Sequence, residues 1–261
     1  TDQGTKIFRL EDHTNRLFES ADAVNMEIPF SREKFNEVQK EIFKVNNLKE
    51  GYIRPMCFYG AQGMGLRADN LKTHCIVAAW EWPSYMSPEA FDEGIKIKIS
   101  SYKRQTNNLV SRSKVNGNYV TSIMALQEAM QEGFDEALLL DDETNISEGS
   151  GENLFLVKEG KLFTPDLAAS LNGITRKSII SLAKEDGIEV KVKKISLNEI
   201  LDADELFFTG TAAEVVPIRM VDQNLIANGK RGPITTILQK KYFDQVRGKR
   251  DSFVEWLTPM E

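Results

Sequence analysis

Lys114, Tyr119 and Glu148 share one stretch of this chain, and their types suit carbonyl chemistry. A lysine amine condenses with an aldehyde to a Schiff base and afterwards serves as a base. It has to be neutral for that, and burial or a neighbouring cation lowers its pKa. Taken alone, a lysine before a helix is by default a solvated side chain, and the Ser147-Glu-Gly-Ser-Gly-Glu-Asn153 run an ordinary loop. Rival chemistries fail on inventory. His13, His74, Cys57 and Cys75 are the only histidines and cysteines, too dispersed for a zinc site, so no metal is expected. Neither histidine lies near a nucleophile-elbow motif. Gly229-Lys230-Arg231-Gly232 fails the P-loop spacing, and the Gly-Ser-Gly around residue 150 is no dinucleotide fingerprint.

The elements around these residues are readable. From Tyr119, the residues Val120, Ile123, Met124 and Leu126 fall at helical spacing as an apolar stripe, and Gly133 stops the helix. Residues 134–140 read as a buried strand, 141–145 as a turn, and 146–157 as two strand pieces around Gly149 and Gly151. Lys114 thus precedes a helix start, and Glu148 stands where glycines kink a strand, a mark of close backbone approach by a ligand. Two helix-entry turns, Gly173-Ile174-Thr175 and Gly210-Thr211-Ala212, offer hydroxyls and backbone N–H groups that suit a phosphate. Ordinary capping is the competing reading of either turn alone. With an arginine, the lysine and a buried carboxylate, the set points to a phosphate-bearing aldehyde cofactor, pyridoxal phosphate.

Upstream, 11–25 reads as a helix capped by Asp12, with Leu17, Phe18, Ala21 and Val24 as its stripe. His13 and Arg16, three apart, face the same way, which spacing alone reads as a surface pair. Residues 31–46 form a second helix with Ser31 as cap. The strand 51–59 puts Tyr52 and Arg54 on one face. Such a pair could read a carboxylate bidentately, or simply face solvent. Residues 62–67 read as a flexible loop and 73–80 as a buried strand, with Cys57 and Cys75 as buried free thiols. Downstream come a strand at 161–164, a helix at 175–186, a capping box at Ser196 and Glu199, strands at 206–208 and 215–221, and a closing helix from Pro233. Strands and helices mix without regular alternation, which predicts an α+β, mixed α/β fold. The expected division is a small domain over 1–80, a connection over 81–88 and a large domain over 89–261.

With 261 residues and 41% hydrophobic content, the chain can bury a proper core. A net charge of -6 with no long basic run gives no case for nucleic acid. No apolar window is long enough for a membrane span. Two cysteines without a motif fit a reducing, cytoplasmic setting. The chain starts with Thr1 and not Met.

Seven ordered motifs carry a resemblance: Tyr52-Ile-Arg-Pro, Gly63-Met-Gly-Leu, Lys114-Val-Asn-Gly-Asn-Tyr119, Ser147-Glu-Gly-Ser-Gly-Glu-Asn-Leu-Phe155, Asn172-Gly-Ile-Thr-Arg176, Thr209-Gly-Thr-Ala-Ala-Glu214 and Gly229-Lys-Arg-Gly-Pro233. Over nearly its whole length the chain resembles the fold-type IV (class IV) pyridoxal-phosphate aminotransferases, most closely those acting on branched-chain amino acids. The resemblance implies a two-domain fold, with a small α/β N-terminal domain, truncated here, and a larger pseudo-barrel domain. It implies that Lys114 holds pyridoxal 5'-phosphate as a Schiff base and shuttles the proton. Tyr119 would bond the cofactor's ring hydroxyl oxygen and Glu148 the pyridine nitrogen. Arg16, the backbone at Ile174 and Thr175, and Thr211 would bind the phosphate, with Glu152 in support.

Tyr52, with the backbone around Thr211 and Ala212, would hold the substrate α-carboxylate, and Arg54 the distal carboxylate of glutamate. The implied reaction moves an amino group between leucine, isoleucine or valine and 2-oxoglutarate. The 63–66 loop implies a homodimer or higher homo-oligomer, with small-molecule substrates and no nucleic-acid or membrane partner. Members of the family carry, some tens of residues earlier, an aromatic-rich S-H-x-L-H-Y-G-x-x-x-F-E-G segment that lines the substrate pocket. This chain joins the pattern near Ile7-Phe8-Arg9, so those pocket residues and part of the small-domain sheet are expected to be missing. The rival readings on the same fold are a D-amino acid or amine transaminase and aminodeoxychorismate lyase. A catalytically impaired cofactor-binding homologue is the rival from another class, and a cofactor-free lysine aldolase stands further off.

Overall fold

The computed structural model describes residues 1–67, 69–82, 84–106 and 112–260. The chain divides into two units, Thr1–Pro83 with Val246–Glu261, and Ser84–Gln245. In the first lie β1 (Lys6–Phe8), α1 (Leu10–Asp22), α2 (Arg32–Val45), β2 (Tyr52–Tyr59) and β3 (Thr73–Trp80). The second begins with α3 (Pro88–Glu93), β4 (Ile95–Arg104) and α4 (Tyr119–Gln131). It continues with β5 (Glu136–Asp141), β6 (Ile146–Gly149), β7 (Asn153–Lys158), β8 (Lys161–Pro165), α5 (Ile174–Glu185) and β9 (Val190–Lys193). Then come α6 (Leu197–Leu201), β10 (Glu205–Gly210), β11 (Glu214–Val221), β12 (Asn224–Leu225) and α7 (Pro233–Val246). Last is β13 (Leu257–Pro259), which pairs antiparallel with β1. The chain's final residues, read from sequence as part of the second domain, therefore group with the first unit.

The second unit is built on a nine-stranded mixed sheet in the order β10-β11-β4-β5-β6-β7-β8-β9, with β12 on β11. β10 also pairs with β7, so β4, β5, β6, β7, β10 and β11 close into a ring, with β8 and β9 continuing beyond β7. Closure suits the sequence, because the strands are apolar on both faces: β7 is buried over five consecutive residues and β10 likewise. Phe155 and Phe207 stack at the β7–β10 junction, with ring centres 5.0 Å apart. Ile97, Leu138, Leu154, Phe208 and Val216 fill the main core. Burying such side chains is worth roughly 1.5–3 kcal/mol each. This is the expected mixed α/β, barrel-like architecture.

Several local expectations need correction. Asp12 does not cap α1: Arg9 stands at the N-cap in a left-handed conformation, φ 55°, and no side chain caps the helix. Asp12 instead accepts from Arg9 Nε at 2.6 Å. β3 is not a buried strand; its exposure alternates, because the β2–β3 sheet has only two strands. Cys57 and Cys75 are accordingly half-buried. The stripe of Val120, Ile123 and Met124 faces outward on α4, while Ser122, Ala125 and Ala129 face inward. Small side chains let the helix lie close on the sheet, where Ala125 and Ala129 pack with Ala137 and Leu139. Residues 88–93, spanning the expected end of the connection at 88 and the start of the large domain, form α3 with Ser87 as N-cap. Pro83, within that connection, lies outside the described residues.

Candidate active site

Sheet register builds the site. Glu148 on β6 stands opposite Asn153 on β7, Asn153 opposite Thr209 on β10, and Thr209 opposite Val215 on β11. The turn 211–213 follows directly, so Glu148 and the Thr211-Ala212 turn lie at one end of the closed ring. That end is tight at Gly149, while Gly210 is in ordinary packing contact. A Cβ on Gly149 would meet Glu152 Oε2 at 2.8 Å, and one on Gly210 would meet the Gly151 carbonyl oxygen at 3.5 Å.

Glu148 is 3% exposed and fully engaged. Arg104, at the end of β4, forms an ion pair with its Oε1. Its Oε2 accepts from Asn153 Nδ2 at 3.2 Å and from the Leu171 N–H at 2.9 Å. Arg104 also donates through Nη1 to the Asn118 carbonyl at 3.5 Å. Asn118 Nδ2 donates back to the Ser113 carbonyl at 3.2 Å. These bonds tie Glu148 to the turn that carries Lys114. Residues 116–118 are a single 3-10 turn leading into α4, and this turn folds Tyr119 back onto the lysine. Lys114 Nζ lies 2.5 Å from Tyr119 Oη and 5.0 Å from the ring centre. The lysine is exposed, so the amine is open to a carbonyl compound.

Asn153 reaches one step further. Its Nδ2 donates to the Leu171 carbonyl at 2.8 Å. A Cβ on Gly173 would lie 2.0 Å from Asn153 Oδ1, so only glycine fits there. Gly173 is the N-cap of α5, and no side chain caps that helix. The amides of Ile174 and Thr175 therefore stand at a helix N-terminus whose dipole favours an anion. Ile174 and Thr175 are both buried, while Thr211 is exposed and Ala212 half-buried.

The remaining candidates belong to the first unit. Arg16 and His13 on α1 are half-buried, with Arg16 Nη2 3.4 Å from His13 Nδ1. Tyr52 and Arg54 share one face of β2, as the alternation predicts. Arg54 is exposed, with its guanidinium 5.3 Å from the Tyr52 ring, 5.4 Å from Trp80 and 5.9 Å from Trp82. The three rings pack together, Tyr52 to Trp82 at 4.7 Å and Trp80 to Trp82 at 5.4 Å.

An exposed lysine paired with a tyrosine, a buried carboxyl group held by donors and an anion-ready helix start suit an aldehyde cofactor bearing a phosphate and a basic ring nitrogen. A family model described as "Amino-transferase class IV" matches residues 3–221. The chain belongs to the class IV aminotransferases. It is 53% identical over 259 residues to the "Branched-chain-amino-acid aminotransferase" of Pseudomonas aeruginosa, covering 99% of this chain and 84% of that protein. Among solved structures, the Escherichia coli branched-chain amino acid aminotransferase superposes with a TM-score of 0.96 at 38% identity, covering 99% of this chain and 86% of the other. A T.th. branched-chain amino acid aminotransferase with pyridoxamine 5'-phosphate gives 0.97 at 41% identity, covering 100% and 86%.

Several residues of this aminotransferase escaped sequence reasoning. Arg104, Asn153 and Trp80 are brought in by strand register, Leu171 and Trp82 by the segments beside the strands, and no spacing announces them. A further pair lies behind the glycine turn. Glu152, 6% exposed, accepts at Oε2 from the Gly151 N–H at 2.9 Å. Glu136, 0% exposed, faces it, and Glu136 Oε2 is a buried oxygen without a hydrogen-bond partner. Burial first and the Glu136 charge second push Glu152 well above the usual carboxylate range, and burial raises Glu136 too. Two facing buried carboxyl groups oppose each other's ionisation, so the pair favours retaining a shared proton as pH rises.

Proposed function

We propose that this chain exchanges an amino group between branched-chain L-amino acids and 2-oxoglutarate, with pyridoxal 5'-phosphate as cofactor. The observation that carries the reading is Arg104, which joins Glu148 to the turn bearing Lys114 and Tyr119. When bound, the cofactor supplies an electron sink for loss of the substrate Cα proton. Lys114 Nζ is the amine that takes the aldehyde and later moves that proton. Tyr119 Oη orients the amine and donates to an oxygen beside it. Glu148 holds a carboxylate toward the ring nitrogen, with Arg104, Asn153 and the Leu171 N–H fixing its position. The Ile174 and Thr175 amides, Thr211 and Arg16 bind the phosphate.

Tyr52 with the Thr211-Ala212 backbone holds the substrate α-carboxylate. Arg54, a cation on an aromatic floor of Tyr52, Trp80 and Trp82, meets the distal carboxylate of glutamate, while the rings accept apolar branched side chains. The working form is a homodimer. Val120 at 61% and Ile123 at 55% exposure on α4 support it, as do the fully exposed Met64 and Leu66. The free thiols of Cys57 and Cys75 support a reducing, cytoplasmic setting.

An absorbance titration tests the reading. The purified chain loaded with pyridoxal phosphate should show a visible band that Lys114→Ala abolishes, that L-leucine converts, and that D-alanine leaves unchanged. A band bleached only by D-alanine would assign the reaction to the D-amino acid type, and a band indifferent to both would leave a cofactor-binding protein without turnover.

A further inference from the structure

The β2–β3 hairpin carries a feature outside this chemistry. Antiparallel register sets Cys57 directly opposite Cys75. The two sulfurs are 3.3 Å apart, Cys57 donating to Cys75. Both residues are free cysteines and half-buried, reachable by a small solute. Directly opposed residues in an antiparallel pair have Cα atoms about 4.5–5.5 Å apart, inside the span a disulfide bridges. The sulfurs need only approach from 3.3 Å to about 2.05 Å, a side-chain rotation on a fixed backbone.

We propose that Cys57 and Cys75 form a reversible oxidation site, closing to a cross-strand disulfide when the chain meets a hydroperoxide. The reaction balances with one equivalent of oxidant. The Cys75 thiolate attacks the O–O bond, is oxidised to a sulfenic acid and releases hydroxide, which takes up the proton the thiol gave. The Cys57 sulfur then displaces the sulfenic hydroxyl, its own proton leaving in water. Two thiols and one peroxide yield one disulfide and two waters. Cys57 donates its hydrogen to the Cys75 sulfur, and burial pushes the Cys57 thiol up, so in this scheme Cys57 is the proton-holding partner and Cys75 the sulfur that attacks. The bond would clasp the base of the 60–72 loop, on the same hairpin whose other end carries Tyr52 and Arg54. A covalent clasp removes freedom from that loop without adding a contact to it.

The test treats the full chain with one equivalent of hydrogen peroxide, and separately with dithiothreitol. Maleimide labelling and non-reducing peptide mapping follow. The expected result is joint loss of both thiols, a peptide pair linking Cys57 to Cys75, and full recovery on reduction. Arg67 lies in the enclosed loop with its side chain 87% exposed, so limited trypsin cleavage there should leave the two fragments joined until reductant is added. In Cys57→Ser, the same treatment should stop at an oxidised Cys75 with no internal link. Retention of both thiols in the wild-type chain, oxidation to separate sulfinic acids, or links only between chains would each overturn the proposal.

Discussion

Arg104 shows what one buried charge does for its neighbours. Its guanidinium is the only cation paired with Glu148 among the described residues, and both side chains are largely withdrawn from water. Arg104→Ala should therefore destabilise the chain by about 3–5 kcal/mol, the cost of leaving a buried partner uncompensated. Urea denaturation measures it, and Glu148→Gln in the same chain should restore part of the loss, because no charge is then left unpaired. The Glu136–Glu152 pair predicts a pH dependence. A carboxyl raised in the folded chain holds a proton that the unfolded chain has released. Its contribution to stability is thus full below the ordinary glutamate pKa, about 4.3, and is lost as pH rises through the folded value. Glu152→Gln should flatten that fall, so the variant gains on the wild type toward alkaline pH in denaturation series at matched ionic strength. At this scale Lys114, Tyr119 and Glu148 were legible, since their types and the glycines around them announce chemistry. Arg104 was not, because a strand-end arginine reads as solvated until register places Glu148 against it.

Elements were legible where local chemistry decides them. Ser31 caps α2 as expected, and the capping box of Ser196 and Glu199 forms with both bonds. They were not legible where two faces compete. On α4 both the small-residue stripe and the larger apolar stripe repeat at helical spacing. Only packing on β4 and β5 decides that the alanines go in. α7 shows a motif whose role is structural. Glu205, buried on β10, accepts from the Ile234 and Thr235 amides at 2.9 and 2.6 Å, placing a negative charge at the helix N-terminus. A Cβ on Gly232 would sit 2.1 Å from the Glu205 carboxyl carbon. The Gly229-Lys-Arg-Gly-Pro233 run thus seats a helix. Gly232→Ala should push the carboxylate off both amides and cost roughly 1–3 kcal/mol, the penalty for buried donors left unmade. Glu205→Ala should cost a similar amount, and cofactor spectra of the folded fraction should be unchanged in both. Thermal melts beside those spectra check this.

The chain divides into two units, and the two apolar clusters described lie in the second. No helix among the described residues is long and apolar enough to cross a membrane. Large apolar side chains left in water on α4 are the mark of a protein surface that meets another. If they meet a second copy, Ile123→Glu with Met124→Glu should shift the chain from dimer to monomer in sedimentation velocity. An unchanged mass would show that this face of α4 is not a contact between copies. The closed ring has one more consequence, for the order in which the site comes into being. Glu148 and Asn153 are synthesised long before Thr209, yet Asn153 takes its place in the sheet opposite that residue, and β4 pairs with β11 at the far side of the sequence. Such distant pairings carry a loop-closure cost and form late. A growing chain thus lacks the Thr211-Ala212 turn and the β10 strand that pairs with β7 until the last third of the chain emerges. Its half-formed strands stay exposed for that interval, and the site appears only once the ring shuts.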